Sequence, residues 1–187
     1  MKDDAYTLSR FVGEMRGVVG SSATEDELIA RLRPLVQRFA GSGTWRESRQ
    51  YEVHPQQGFG VHLLHEEPDH SLAVFAVSWR PGGGTPPHDH GDWGIVVGVD
   101  GAEKNVFWER IDDRARPGYA ELRKVGEKVF VPGEVVAMPT GTIHSVSNES
   151  DRVTLSLHVY GRHLNFAKRS QFDPDKRTEE PFLVRID

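Results

Sequence analysis

The chain of 187 residues carries 23 Lys and Arg against 28 Asp and Glu, a net charge of -5, with 37% hydrophobic residues and no cysteine. That length and composition suit one domain with its own core, and the negative balance gives no electrostatic reason to bind nucleic acid or an anionic bilayer. Without cysteine there is no disulfide framework, thiolate zinc site, iron–sulfur cluster or cysteine nucleophile, so a bound metal must take nitrogen and oxygen ligands, which nine histidines are present to supply.

The opening stretch MKDDAYTLSRFVGEM lacks the basic segment and apolar run of a secretory signal. No stretch nears the roughly 18 consecutive apolar residues of a membrane span. A cytoplasmic location without a membrane partner is expected. Leu8, Phe11, Val12, Met15, Val18 and Val19 recur at helical spacing. A second helix follows, with Thr24 and Glu27 as a capping box and Leu28, Ile29, Leu32, Leu35, Val36 and Phe39 as its apolar stripe. Pro34 is expected to kink it, and Gly41-Ser42-Gly43 to end it. Residues 1–44 read as a helical segment packed on residues 45–187, a barrel with a C-terminal tail, the two forming one structural domain.

From about Arg46 the pattern turns to short runs rich in Val, Ile, Phe, Thr and Trp, at 49–54, 60–66, 71–79, 93–100, 103–109, 120–130, 134–138, 142–147 and 152–160. So many short strands predict a mainly β sandwich or barrel. Asp100-Gly101 suits a tight hairpin, Pro132-Gly133 a turn, and Asn148-Glu149-Ser150-Asp151 a polar loop. The tail is polar after Phe172 until Phe182-Leu183-Val184, which is expected to dock on the barrel.

His88 and His90 flank one residue, so on extended backbone both imidazoles point to the same side, about seven ångströms apart at the backbone. His144 is the candidate third ligand. It sits in the run Gly133, Pro139, Gly141, His144, Asn148, which resembles the second motif of the cupin superfamily at every named position. The first cupin motif is matched by Gly82, His88-Asp89-His90, Gly94 and Gly101, with Gly94 where most metal cupins have a glutamate ligand. The resemblance implies a cupin jelly-roll β-barrel behind two N-terminal α-helices, with a metal on His88, His90 and His144. Imidazole ligands alone do not choose among Fe, Cu, Ni and Zn. Asp89 is expected to point away from the metal and to orient a ligand ring or a neighbouring loop.

A three-histidine cupin without the glutamate resembles the thiol dioxygenases, which use ferrous iron and O2 to convert a small thiol into a sulfinic acid. Two further segments share the likeness: Ser156-Leu157-His158-Val159-Tyr160, and Ser78-Trp79 leading into Thr85-Pro86-Pro87-His88-Asp89-His90. On a strand Ser156, His158 and Tyr160 share one face, opposite Leu155, Leu157 and Val159. The resemblance implies an inward row in which His158 and Ser156 orient a catalytic Tyr160 towards substrate or oxygen. One branch of the family links a cysteine to this tyrosine; here Gly94 occupies the place, so Tyr160 is free, as in the bacterial 3-mercaptopropionate branch.

The same branch implies that Arg169, nine residues after Tyr160, contacts a substrate carboxylate. The other reading is a solvated Lys168-Arg169 pair. His62 falls where other members have arginine or glutamine; it could bind a carboxylate, donate one hydrogen bond, or pack beside Leu63 and Leu64. His54, His65, His70 and His163 read as surface or loop residues. The expected substrates are O2 and a small carboxylated thiol, 3-mercaptopropionate ahead of cysteine and then mercaptosuccinate, with Fe(II) as cofactor. The alternatives are a three-histidine cupin acting on a diketone, a flavonoid or a sugar phosphate, and a non-enzymatic binding module. Oligomeric state is not readable from the strand pattern.

Overall fold

A computed structural model describes residues 5–187; Met1 to Asp4, the start of the stretch read for a signal, lie outside the described residues. Helix α1 (Leu8–Val19) starts on Thr7, whose side chain accepts from Arg10 N. Helix α2 (Glu25–Ser42) starts on Thr24, which accepts from Glu27 N at 3.2 Å, while Glu27 reaches back to Ala23 N at 3.1 Å. Three acidic residues in its first turn complement the helix dipole, and Gly43 closes the helix at φ 67°. Pro34 does not divide α2. It is exposed, and Leu32 and Val36 on either side of it are fully buried. The two helices meet through Phe11 and Phe39, stacked at 4.3 Å.

The strands are β1 (Phe59–Glu66), β2 (Ser71–Trp79), β3 (Gly94–Asp100), β4 (Glu103–Arg110), β5 (Leu122–Phe130), β6 (Val135–Met138), β7 (Ile143–Ser147) and β8 (Thr154–Arg162). They form two antiparallel sheets, β1-β2-β8-β3-β6 and β5-β4-β7, and the chain passes repeatedly from one to the other, as in a jelly-roll barrel. This is the mainly β barrel with two N-terminal helices that the sequence predicts.

Three local expectations are corrected. Residues 49–54 are not a strand: Ser48–Tyr51 is a 3₁₀ helix, capped reciprocally by Glu47 and the buried Gln50, and these local bonds replace sheet pairing. Asp100-Gly101 does not make a hairpin, because β3 and β4 lie in different sheets; Gly101, at φ 76°, turns the chain across. The polar tail contains a hairpin, β9 (Ser170–Asp173) and β10 (Thr178–Pro181), tied to the barrel by Glu179, 2.8 Å from the Arg110 guanidinium, which Asp112 also holds at 2.8 Å. Its strands lack apolar alternation, so period-two reading misses them.

The five-stranded sheet is buried on both faces. Val74, Ala76, Ile95, Val97, Leu155, Leu157 and Val159 face the helices in one cluster, while Val61, Phe75, Val77 and Val96 face the barrel interior with Phe130 and Val146 of the other sheet. Phe182 and Val184 join the inner cluster, whereas Leu183 between them is 70% exposed. Among the described residues no helix is long and apolar enough to cross a membrane. Because Leu157 is fully buried on the helix side of β8, Leu157→Ala should cost about 2–5 kcal/mol in urea unfolding, with the cavity on the opposite face still able to take up metal.

Candidate metal centre

His88 and His90 stand on the loop between β2 and β3, and His144 on β7. His88 N–H donates to His144 O at 2.8 Å and His144 N–H to His88 O at 3.0 Å, a reciprocal antiparallel pair. Residues paired in this way carry their side chains on the same face. The three rings converge with centroids 4.6 to 5.1 Å apart, and one nitrogen from each lies within 4.8 Å of the others.

All three histidines are buried. Burial holds His88 and His90 well below the usual histidine range, with repulsion from the neighbouring imidazoles and from Arg169 adding to it. Burial first, then Arg169, pushes His144 down to about 3. The rings are therefore neutral at pH 7, the form that ligates metal. His88 Nδ1–H donates to Pro86 O at 3.0 Å and His144 Nδ1–H to Asn105 Oδ1 at 2.8 Å. Carbonyl oxygens only accept, so both bonds leave Nε2 with a lone pair for a metal.

Among the described residues, His144 Nε2, His90 Nδ1 and Arg169 Nε are buried without a hydrogen-bond partner. Such groups cost free energy unless a ligand satisfies them. All three residues line one cavity of about 30 Å³, otherwise walled largely by apolar side chains including Val61, Val77, Leu164, Phe182 and Val184. Three neutral imidazoles converging on one cavity fit a divalent metal with open coordination positions.

The predicted polar row lies beside this group. Tyr160 stacks on His90 with centroids 4.8 Å apart, His158 Nδ1 is 2.7 Å from Tyr160 Oη, and His158 Nε2 is 2.9 Å from Ser156 Oγ. Burial, reinforced by His144 and Arg169, lowers His158 to about 3, and burial raises Tyr160 above its ordinary range against the opposing pull of Arg169. Both are neutral at pH 7. Gly94 explains the tyrosine's position: a Cβ there would come within 2.8 Å of the Tyr160 ring and 3.2 Å of Met138 Cε. The ring takes the room that a longer residue at 94 would need.

Arg169 also lies in the cavity and is 6% exposed. Its guanidinium sits 4.3 Å from the Phe182 ring centroid, and burial lowers it to about 10, so it stays cationic at pH 7. It is not one of a solvated pair. Asp89 holds the adjoining backbone: its carboxylate accepts from Ser170 N at 2.8 Å and its own N–H donates to Ser170 O at 3.1 Å.

His62 is not in the cavity. Phe59 and Val61 of β1 line it, so strand alternation sends His62 to the other face, where Nε2–H donates to Glu52 O at 3.0 Å. Its expected part in substrate binding is corrected to anchoring the segment after the 3₁₀ helix. His163 is buried rather than on the surface, packed 5.3 Å from Phe75 and 5.2 Å from Phe166. Sequence reasoning passed over Asn105 and Glu103, both buried on β4. Their signal was an alternating polar pair, Glu103-x-Asn105, at the start of an otherwise ordinary strand.

No protein-family model matches the chain. Among solved structures, oxalate oxidase in complex with the substrate analogue glycolate is 20% identical with a TM-score of 0.46, covering 63% of this chain and 59% of that one. A cupin 2 conserved barrel domain protein from Salinispora arenicola CNS-205 is 19% identical with a TM-score of 0.44, covering 62% and 85%. The Cupin_2 domain of an XRE family transcriptional regulator from Enterobacter cloacae is 18% identical with a TM-score of 0.40, covering 57% and 99%. This chain thus spans about three fifths of the oxalate oxidase chain, and likenesses of this size carry no assignment of chemistry.

Asn105→Ala should weaken binding of a divalent metal about 10–100-fold in titration calorimetry while thermal unfolding stays cooperative, because His144 loses the partner that fixes its ring. Gly94→Ala should displace the Tyr160 ring from His158 in a crystal structure of the variant; an undisturbed ring would refute the steric account.

Proposed function

We propose that the protein is a non-haem Fe(II) thiol dioxygenase that oxidises a small carboxylated thiol to its sulfinic acid, RSH + O2 → RSO2H, with 3-mercaptopropionate preferred to cysteine. The observation that carries this reading is Arg169: a buried cation with an unpartnered Nε, opening into the same small cavity as three neutral imidazoles. An arginine so placed calls for an anion within the cavity, and a carboxylate can engage the guanidinium through two parallel hydrogen bonds.

Iron on His88, His90 and His144 would supply open positions for sulfur and O2 and the redox chemistry that joins them. The chain's own residues do the rest. Arg169 fixes the carboxylate end, and the apolar wall, including Val61, Val77 and Leu164, takes the short methylene chain and excludes water. Tyr160, held by His158, presents a neutral phenol beside His90 for proton exchange with the bound ligand. With no cysteine in the chain, the reacting sulfur must come from the substrate.

Oxygen-electrode assays of the protein loaded anaerobically with Fe(II) should show uptake with 3-mercaptopropionate and less with cysteine. Thiols without a carboxylate should be poor substrates. Arg169→Ala should lower kcat/KM for the carboxylated thiols by at least about thirtyfold, the cost of removing one member of a buried charged pair. Comparable uptake with thiols lacking the carboxylate would overturn the clamp. A protein that takes up Fe(II) but oxidises none of these thiols would belong with three-histidine cupins of other substrates, and one that takes up none would be a binding module.

A further inference from the structure

The polar row does not end at Ser156. Ser156 Oγ lies 3.0 Å from Glu103 Oε2, and Thr154 Oγ1–H donates to Glu103 Oε1 at 3.2 Å. Trp79 Nε1–H donates to Ser156 Oγ at 3.4 Å. Glu103 is 6% exposed and its side chain has no cationic partner among these bonded groups. A carboxyl placed so deep, answered only by hydroxyls and an indole, is costly as an anion unless its charge is used.

From the Proposed function we infer that Glu103 receives the proton that the substrate thiol loses on binding, relayed through Tyr160, His158 and Ser156, and thereby sets the direction in which Tyr160 donates. The hydrogen-bond inventory gives the row two fully satisfied arrangements. With Glu103 ionised, Tyr160 O–H donates to His158 Nδ1, His158 Nε2–H to Ser156 Oγ, and Ser156 O–H to Glu103 Oε2. With Glu103 protonated every bond reverses: Glu103 O–H donates to Ser156 Oγ, Ser156 O–H to His158 Nε2, and His158 Nδ1–H to Tyr160 Oη. Only in the second is the Tyr160 proton free to point into the cavity. In both, Ser156 Oγ still accepts from Trp79 and Glu103 Oε1 from Thr154.

One proton entering at Tyr160 converts the first arrangement into the second. The thiol S–H breaks and its proton joins Tyr160 Oη. The tyrosine's own proton moves to His158 Nδ1, the Nε2 proton to Ser156 Oγ, and the serine proton to Glu103 Oε2. The thiolate keeps the electron pair, Glu103 becomes neutral, and no intermediate member is left charged. Nothing is oxidised or reduced in the transfer. Burial raises the Glu103 carboxyl to about 7, against the lowering effect of Ser156, Thr154 and Trp79, so it can hold a proton near neutral pH.

The surroundings leave Glu103 as the terminus. From β8 it meets Thr154 and Ser156, with His158 and Tyr160 further along the row; from β2 it meets Trp79; and Phe130 of β5 stands opposite in register. Its neighbour Lys104 pairs with Glu127 and Glu149, 3.7 and 3.2 Å away. Arg169 acts on His158 and Tyr160, at the other end of the row.

The test uses the full metal-free chain with ¹⁵N-labelled histidine. Two-dimensional NMR should show the His158 proton on Nε2 above about pH 7 and on Nδ1 below it. In Glu103→Gln, whose amide can donate to Ser156 and accept from Thr154, it should stay on Nδ1 throughout. A fixed His158 tautomer in the wild type, or an unchanged switch in the variant, would overturn the proposal. If the glutamine variant fails to fold, Ser156→Ala interrupts the row and should abolish the switch; its persistence overturns the proposal equally. Calorimetry of anaerobic 3-mercaptopropionate binding to the Fe(II) protein, in buffers of different ionisation enthalpy just above neutral pH, adds the transfer itself. The wild type should retain the thiol proton and Glu103→Gln release it, and equal release would contradict the transfer. An intact tautomer switch in a protein that oxidises no thiol would sink the functional reading alone.

Discussion

The reciprocal hydrogen bonds between His88 and His144 are the constraint on which the rest of the site depends. They join a loop of the β2–β3 connection to β7, strands that belong to different sheets, and set two imidazoles side by side at 4.6 Å. His90, two residues on, completes the group. A pairing made by backbone alone keeps the side chains free for chemistry, and it lies between two sheets that pack on each other through Phe130 and Val146 of one and Phe75, Val77 and Val96 of the other.

That arrangement forces polar groups into a dry interior, and each is managed locally. Pro86 O and Asn105 Oδ1 orient two of the imidazoles, and Ser156, His158 and Tyr160 satisfy one another down the inner face of β8 while Leu155, Leu157 and Val159 on the outer face attach the same strand to the helices. β8 therefore contributes stability through one face and reactivity through the other. Among the described residues, the buried side-chain atoms left without partners are His144 Nε2, His90 Nδ1 and Arg169 Nε, all on residues that line the cavity. A metal held by the imidazoles and an anion on the guanidinium are what the proposed function would place there.

Much of this was legible in the sequence because it obeys simple periods. The helices declare themselves by three-to-four spacing and capping residues, His88-x-His90 and Ser156-x-His158-x-Tyr160 by alternation, and His144 by its glycine and proline framing. Glu103 and Asn105 escaped notice because a polar residue in a strand normally faces solvent, and only the closure of the barrel shows that these two face inward. His62 failed for the complementary reason: a linear alignment places it near the site, yet strand parity gives the cavity to Phe59 and Val61. The tail hairpin is held by the ion pair of the buried Arg110 with Glu179, residues distant in the chain, which no local pattern reports.

The most direct test of the central claim is the fate of oxygen. Fe(II)-loaded protein turning over 3-mercaptopropionate under ¹⁸O2 should yield the sulfinate with both oxygen atoms labelled, read by mass spectrometry. Product carrying a single labelled atom, or disulfide with the label lost to water, would contradict the account.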